Sequence, residues 1–242
     1  MSDKREIIAK NVAVMLKDGD FVNLGVGIPT LVSNYIPEGM TIILHGENGA
    51  AGLNGNLPAE GIFDDGDTFL AWEKTHKGEM TDYKTGHKDL IDAGSNPSYL
   101  IDGACNFDMC MSFTMSRGGH LDATVLGAMQ VDQEGNLANW MVPGKMVSGM
   151  GGAMDILAGT KKVIIATTLT ASDGTPKLLK KCTLPLTAVN CVSCVVTEKC
   201  IAEVDNGKFR ITALYPGVTK EEIEKAIEGD VVFEEHLGEM LA

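Results

Sequence analysis

The run Phe21-Val22-Asn23-Leu24 stops at Gly25-Val26-Gly27-Ile28-Pro29, and Thr30 to Ile36 read as a helix beyond it. A short apolar strand, a glycine turn and a helix make a βα unit, and a chain that repeats the unit is bound to layer helices on a sheet. The unit recurs. Thr41 to Leu44 reads as a second apolar strand that gives way at once to the polar, glycine-rich segment His45 to Gly55. Further buried strands are expected at Ala123 to Leu126, Lys162 to Ala166 and Cys194 to Thr197, with helices at Phe107 to Met115 and Lys220 to Ile227. Ahead of them, residues 3 to 17 set Ile7, Ile8, Val12, Met15 and Leu16 on one side at helical spacing, until Asp18-Gly19-Asp20 breaks the pattern. The expected fold class is α/β, an open mixed sheet with flanking helices.

With 242 residues, 44% hydrophobic and 22% charged, the chain is long and apolar enough for one large soluble domain. No repeat, low-complexity tract or linker divides it, so residues 1–242 read as a single domain. The stretch 63–89 is polar and charged, carries His76 and His87, and reads as an insertion or lid. No apolar run approaches the roughly 18 residues that cross a bilayer, and MSDKREIIAK lacks the apolar stretch of a signal peptide. A cytoplasmic location is expected, with no membrane partner. The formal charge of -13 also argues against sequence-independent binding to nucleic acid, which needs a basic face. Among the six cysteines, Cys191, Cys194 and Cys200 come closest to a cluster, but no fourth ligand stands at zinc spacing and their surroundings read as a buried β-rich run. No metal is expected.

Two glycine clusters, Gly25-x-Gly27 and Gly149-Met150-Gly151-Gly152, fit either tight turns or phosphate-holding loops, and neither completes a dinucleotide fingerprint. The second precedes a helical run and can aim free amides at an oxyanion. Glu47 lies just past a strand end between Gly46 and Asn48-Gly49. By position alone a solvated loop glutamate is the simpler reading, yet flanking glycines give a carboxylate the open approach that a covalent reaction centre needs. His120 reads as a turn histidine bonded to the adjacent sheet, with a general base as the alternative.

Five segments are more specific: NLGVGIPTLVSNYIP at 23–37, ENGAAGLNG at 47–55, SFTMSRGGHLDATVLGAMQV at 112–131, LANWMVPGKMVSGMGGAMDI at 137–156 and KCTLPLTAVNCVSCVVTEK at 181–199. Together, and in this order, they closely resemble the family I CoA transferases. The resemblance is to the B (beta) subunit of bacterial acetate, butyrate or acetoacetate enzymes, and equally to the carboxy-terminal half of single-chain succinyl-CoA:3-oxoacid CoA transferases. It implies an open α/β sheet related to that of ribose-5-phosphate isomerase. It also implies CoA transfer between an acyl-CoA and a free carboxylic acid, with coenzyme A as substrate and no permanently bound cofactor.

The resemblance further implies that Glu47 is the nucleophile, forming an acyl-glutamyl anhydride and then a glutamyl-CoA thioester in ping-pong fashion. Gly152 matches an oxyanion-hole glycine and Asn23 an asparagine lining the active site, while Gly25, Gly27, Asn48, Gly49 and Gly151 fall in the substrate-binding motifs. An A (alpha) subunit in a heterodimer or heterotetramer would supply a glutamine for the rest of the oxyanion hole. Three departures stand out. Gly46 replaces the usual serine, Asp92-Ala93-Gly94-Ser95 replaces Asn-Ala-Gly-Lys, and 63–89 lies where typical members have a much shorter connection. A sugar-phosphate isomerase-like enzyme and a non-catalytic binding subunit of the same fold are the competing expectations.

Overall fold

The computed structural model describes residues 3–54, 62–63, 86–87, 89–92 and 98–242. Among them, ten strands form one sheet: β1 (Phe21–Leu24), β2 (Ile43–Gly46), β3 (Ala50–Asn54), β4 (Tyr99–Asn106), β5 (Ala123–Leu126), β6 (Lys162–Ala166), β7 (Cys194–Val196), β8 (Cys200–Asp205), β9 (Lys208–Leu214) and β10 (Val231–Glu239). Their spatial order is β10-β9-β8-β7-β6-β5-β1-β2-β3-β4. The five central strands from β7 to β2 run parallel. Antiparallel pairs extend the sheet on both sides, through β8 and β9 on one and through β3 and β4 on the other, and β10 closes the first side parallel to β9. The sheet is mixed, as the sequence leads one to expect.

The central strands are largely apolar because both of their faces are buried, although β1, β5 and β2 each hold one buried polar residue, Asn23, Thr124 and His45. Side chains alternate across a strand, so Val163 and Ile165 of β6 enter one core while Ile164 and Ala166 enter the other. Helix α1 (Lys4–Ala13) covers the second face, packing Ile7, Ile8 and Val12 with Val22, Val125, Ile164 and Val196. Burying a side chain such as Ile8 contributes roughly 1.5–3 kcal/mol. Among the described residues three more α-helices follow: α2 (Met109–Arg117), α3 (Ala153–Leu157) and α4 (Lys220–Ala226). On the first face Ala153 and Leu157 of α3, and Ile223 of α4 with Ile227 just beyond it, pack against β6, Phe209 and Ile211.

The helix expected at 107–115 runs Met109–Arg117 and the polar segment 45–55 holds β3, and three further boundaries differ for a local reason. Helix α1 ends at Ala13 rather than near 17, because Asp18 accepts from Thr41 N–H at 2.7 Å and Gly19 N–H donates to Thr41 O at 2.8 Å. Those bonds pull the chain off the helical path and leave Met15 only half-buried. The same bonds occupy the Thr41 backbone, so β2 starts at Ile43 and runs on to Gly46, taking in His45. The expected helix after β1 is a 3-10 helix, Pro29–Tyr35, in which Thr30 Oγ1 and Ser33 Oγ donate to the carbonyls of Gly27 and Thr30.

The connectivity places the site. From β1 the chain steps to β2 on one side, and it later returns to lay β5 on the other side of β1 before stepping outward through β6 and β7. Connections therefore diverge between β1 and β5, and at such a switch point a crevice opens beyond the carboxyl ends of parallel strands. Within the expected insertion only residues 63, 86, 87 and 89 are described, and the backbones of 62–63 and 86–87 pair in parallel. The lid reading of 63–89 and the position of Ser95 lie outside the described residues. No helix among the described residues is long and apolar enough to cross a membrane.

Candidate active site

A cavity of ≈ 570 Å³ occupies the switch point. Its walls are Leu24, Gly25 and Val26 beyond β1, Leu126 to Met129 at the end of β5, Asn139, and the segment Ser148 to Ala153 with Ile156. Glu47 enters from the side. It lies in the turn Glu47–Gly49 joining β2 to β3, which closes with Gly49 N–H donating to Gly46 O at 3.0 Å. Gly49 has φ 125°, and a β-carbon there would overlap Phe107 O, so only glycine closes this turn.

The Glu47 carboxylate lies against Gly152, whose backbone N–H favours its ionised form. Gly152 is the N-cap of α3, and α3 is held to α2 by Arg117, whose Nε donates to Asp155 Oδ1 at 2.9 Å. Gly152 has no room for a side chain: a β-carbon there would stand 2.7 Å from Phe113 Cε1 and 3.0 Å from Glu47 Cδ. Burial raises the Glu47 carboxyl above its ordinary value of 4.5, and the Gly152 amide opposes that shift. A half-desolvated carboxylate beside a backbone N–H is less strongly solvated than one in water.

The sequence model described as Coenzyme A transferase matches residues 5–65 and 88–226. The chain belongs to the coenzyme A transferase family. It is 47% identical over 215 residues to acetate CoA-transferase subunit beta of Escherichia coli, an alignment that covers 89% of this chain and 87% of that one. It is 43% identical over 222 residues to a mitochondrial succinyl-CoA:3-ketoacid coenzyme A transferase of Rattus norvegicus, covering 91% of this chain but only 38% of that longer one. Among solved structures, glutaconate coenzyme A-transferase from Acidaminococcus fermentans superposes with a TM-score of 0.67 at 16% identity, over 100% of this chain and 90% of that one. The acyl-CoA transferase YdiF of Escherichia coli superposes with a TM-score of 0.69 at 20% identity, over 99% of this chain and 43% of that one. At these identities the structures speak to the fold, and it is the CoA-transferase fold. The sequence relatives make this chain a family I CoA transferase subunit of the B type.

In this CoA transferase subunit the residues marked by the sequence divide into two groups. Glu47, Gly25, Gly151 and Gly152 share the cavity wall. Asn23 lies beneath it, 2% exposed, accepting from Thr124 Oγ1 at 3.2 Å and donating to His45 O at 3.2 Å. Asn48 turns outward and donates to Ile91 O at 2.9 Å, Gly49 closes the turn, and the carbonyl of Gly27 accepts from Thr30 in the loop beyond the cavity. His120 is exposed, with its ring against Gly118 rather than on the sheet. Cys194 and Cys200 are core residues of β7 and β8 whose thiols burial pushes up to about 12. No group of three or more potential metal ligands occurs among the described residues.

Sequence reasoning passed over His45. Its side chain is buried between Phe21, edge-on at 5.4 Å, and Phe107, stacked at 6.0 Å. Asn23 Nδ2 carries only hydrogens and lies 3.4 Å from His45 Nδ1, so Nδ1 is the acceptor and Nε2–H donates to Ser112 Oγ at 2.9 Å. Desolvation lowers the imidazole to about 4, keeping it neutral at pH 7. His45 therefore ties β2, β1 and α2 together directly beneath the turn that carries Glu47. The available signal was its spacing: Ile43 and His45 alternate with Leu44 and Gly46, as a continuing strand requires.

The steric fit at Gly152 leads to a first prediction. Gly152→Ala is expected to lower kcat by roughly 10²–10³-fold, the size of a single oxyanion-donor loss, because the new methyl presses on Glu47 Cδ and Phe113. Steady-state kinetics beside a thermal melt checks this. A variant with wild-type kcat would show that close approach at 152 is unimportant.

Proposed function

We propose that Glu47 carries the acyl group and then CoA in a transfer between an acyl-CoA and a free carboxylic acid. One observation supports this above the others. A glutamate carboxylate stands in a cavity at the carboxyl ends of parallel strands, beside the Gly152 backbone, and it is the only ionisable residue on the described wall.

In the first step a Glu47 oxygen attacks the thioester carbonyl, the C–S bond breaks, and CoA leaves as thiolate with an acyl-glutamyl anhydride behind it. The thiolate then attacks Glu47 Cδ, the bond from Cδ to the bridging oxygen breaks, and the first acid leaves as carboxylate. A second carboxylate runs the two steps backward. The Gly152 backbone lies beside Glu47 Cδ, so its N–H suits the oxyanion that forms on Cδ when thiolate adds there. Such a donor is worth roughly 3 kcal/mol. Anhydride and thioester are both acyl-activated, so the energy of the thioester passes through Glu47 without ATP. Water must be kept out to preserve it.

The backbones of Gly25 and Gly151 are proposed to receive the substrate on the cavity wall, while Asn48 and Gly49 hold the turn and Asn23 supports it from below. The wall carries no other charge and mixes apolar Leu24, Leu126, Met129, Met150 and Ile156 with polar Asn139, Ser148 and glycine backbone, which suits short, uncharged acyl chains, including 3-oxo acids. CoA itself is polyanionic, and an A subunit in a cytoplasmic heterodimer or heterotetramer would supply the cations for it. The insertion reading of 63–89 draws support from the family match, which stops at 65 and resumes at 88.

Assay of the chain co-expressed with its A subunit tests the reading. Varying an acyl-CoA donor against acetate, butyrate or acetoacetate is expected to give parallel double-reciprocal lines. Intersecting lines would point to a ternary complex and against a covalent enzyme intermediate.

A further inference from the structure

The turn bearing Glu47 is held from three sides. Asn48 Nδ2 donates to Ile91 O at 2.9 Å, and Phe107 N–H donates to Gly49 O at 3.0 Å. The third hold is steric. A β-carbon on Gly46 would overlap Leu53 Cδ1 and stand 2.8 Å from Asn48 Oδ1. The backbone at 46 lies outside the left-handed region, so glycine is required there for volume and not for conformation. Leu53 is 4% exposed and has little space into which to withdraw. Its placement follows from a register shift in β3: Gly52, at φ 89°, lets Leu53 oppose Leu44 and lean across the hairpin onto Gly46.

We infer that Leu53 is a positioning residue for Glu47: its side chain fills the volume that a side chain at 46 would take, and this packing sets the turn that aims the carboxylate at Gly152. The inference rests on the reading of Glu47 as nucleophile. Glu47 directly follows Gly46, so a shift at 46 passes into the carboxylate with no intervening residue to absorb it. Misplacement of a reacting group by about 1 Å costs on the order of 10²-fold in rate. Leu53 lies outside the cavity wall, so its effect belongs in kcat more than in KM.

The test is a double-mutant cycle on the enzyme assembled with its A subunit, using Gly46→Ala, Leu53→Val and the pair, with Glu47→Gln as control. Gly46→Ala adds only the colliding carbon and is expected to lower kcat by roughly 10–100-fold, with KM for the acyl-CoA donor changed less than about threefold. Leu53→Val removes the overlapping methyl, and the double variant is expected to recover at least about tenfold over Gly46→Ala. Wild-type kcat in Gly46→Ala, or losses that multiply in the double variant, overturns the inference. If Gly46→Ala does not fold, the double variant decides alone: near-wild-type turnover supports the pairing, and a folded but slow protein overturns it. Undiminished turnover in Glu47→Gln removes the nucleophile reading and the positioning role with it. An inactive Glu47→Gln beside multiplying losses removes the positioning role alone.

Discussion

Replacing Glu47 by glutamine is expected to cost the assembled enzyme roughly 10⁴-fold or more in transfer rate, while its thermal midpoint stays level or rises. The first half follows from chemistry. A neutral amide is a poor nucleophile toward a thioester and cannot form the anhydride, whereas it keeps the shape of the side chain and its place beside Gly152. The second half follows from the sign of the Glu47 shift. Burial raises its pKa above 4.5 in the folded state, so the folded protein binds the proton more tightly than the unfolded chain. Stability is then greatest below the ordinary carboxylate range and falls as pH rises toward the elevated folded value. Glutamine carries no charge and removes that loss, as is common where a site holds a group that function needs and folding does not. The same shift is expected to place the acid limb of the rate above pH 4.5, since in the proposed mechanism only the ionised carboxylate attacks. Calorimetry and initial rates on one preparation measure both halves, and an inactive variant that is also strongly destabilised would contradict the second.

His45 carries the other large effect, and it acts on stability. Its folded pKa of about 4 lies well below the unfolded 6.5, so between these values the unfolded chain binds more protons. Stability is therefore lost as pH falls from 6.5 to 4, by roughly 3 kcal/mol for this one ring. The physical cause is that protonation puts a charge between Phe21 and Phe107 and strips Nδ1 of its acceptor role toward Asn23. His45→Gln lowers stability at neutral pH by losing the ring contacts, but its acid loss is shallower. Urea unfolding of both proteins at several pH values isolates the difference, because Glu47 contributes to both and its opposite trend cancels. Parallel stability curves would show that His45 is not the acid-sensitive group.

The central strands were legible in the sequence because burial on both faces leaves them mostly apolar, as at Val163 to Ala166, and single polar residues such as Asn23 and Thr124 do not break the pattern. Strands β4 and β10 were not, since edge strands alternate weakly between half-buried and exposed positions. His45 was masked by its neighbours: the glycines after it read as a turn, and the strand in fact carries on to Gly46 before turning. Glu47 was legible as a candidate only through the ordered motifs around it. Its contact with Gly152 was beyond any spacing rule, because the sheet brings together a hairpin after β2 and a helix start that precedes β6. Phe113, which excludes any side chain at 152, has no local signature either, since its role is set by how α2 lies on α3. The vacancy at Gly46 reads in sequence as a lost hydroxyl, and the fold recasts it as a space already filled by Leu53.

The most direct measurement is the mass of the protein itself. The chain, assembled with its A subunit, is incubated with an acyl-CoA and no acceptor acid, then digested and mapped. The account predicts one CoA, in thioester linkage and released by hydroxylamine, on the peptide that contains Glu47, and none in Glu47→Gln. A fully active enzyme that carries no adduct, or carries it on another residue, would contradict it.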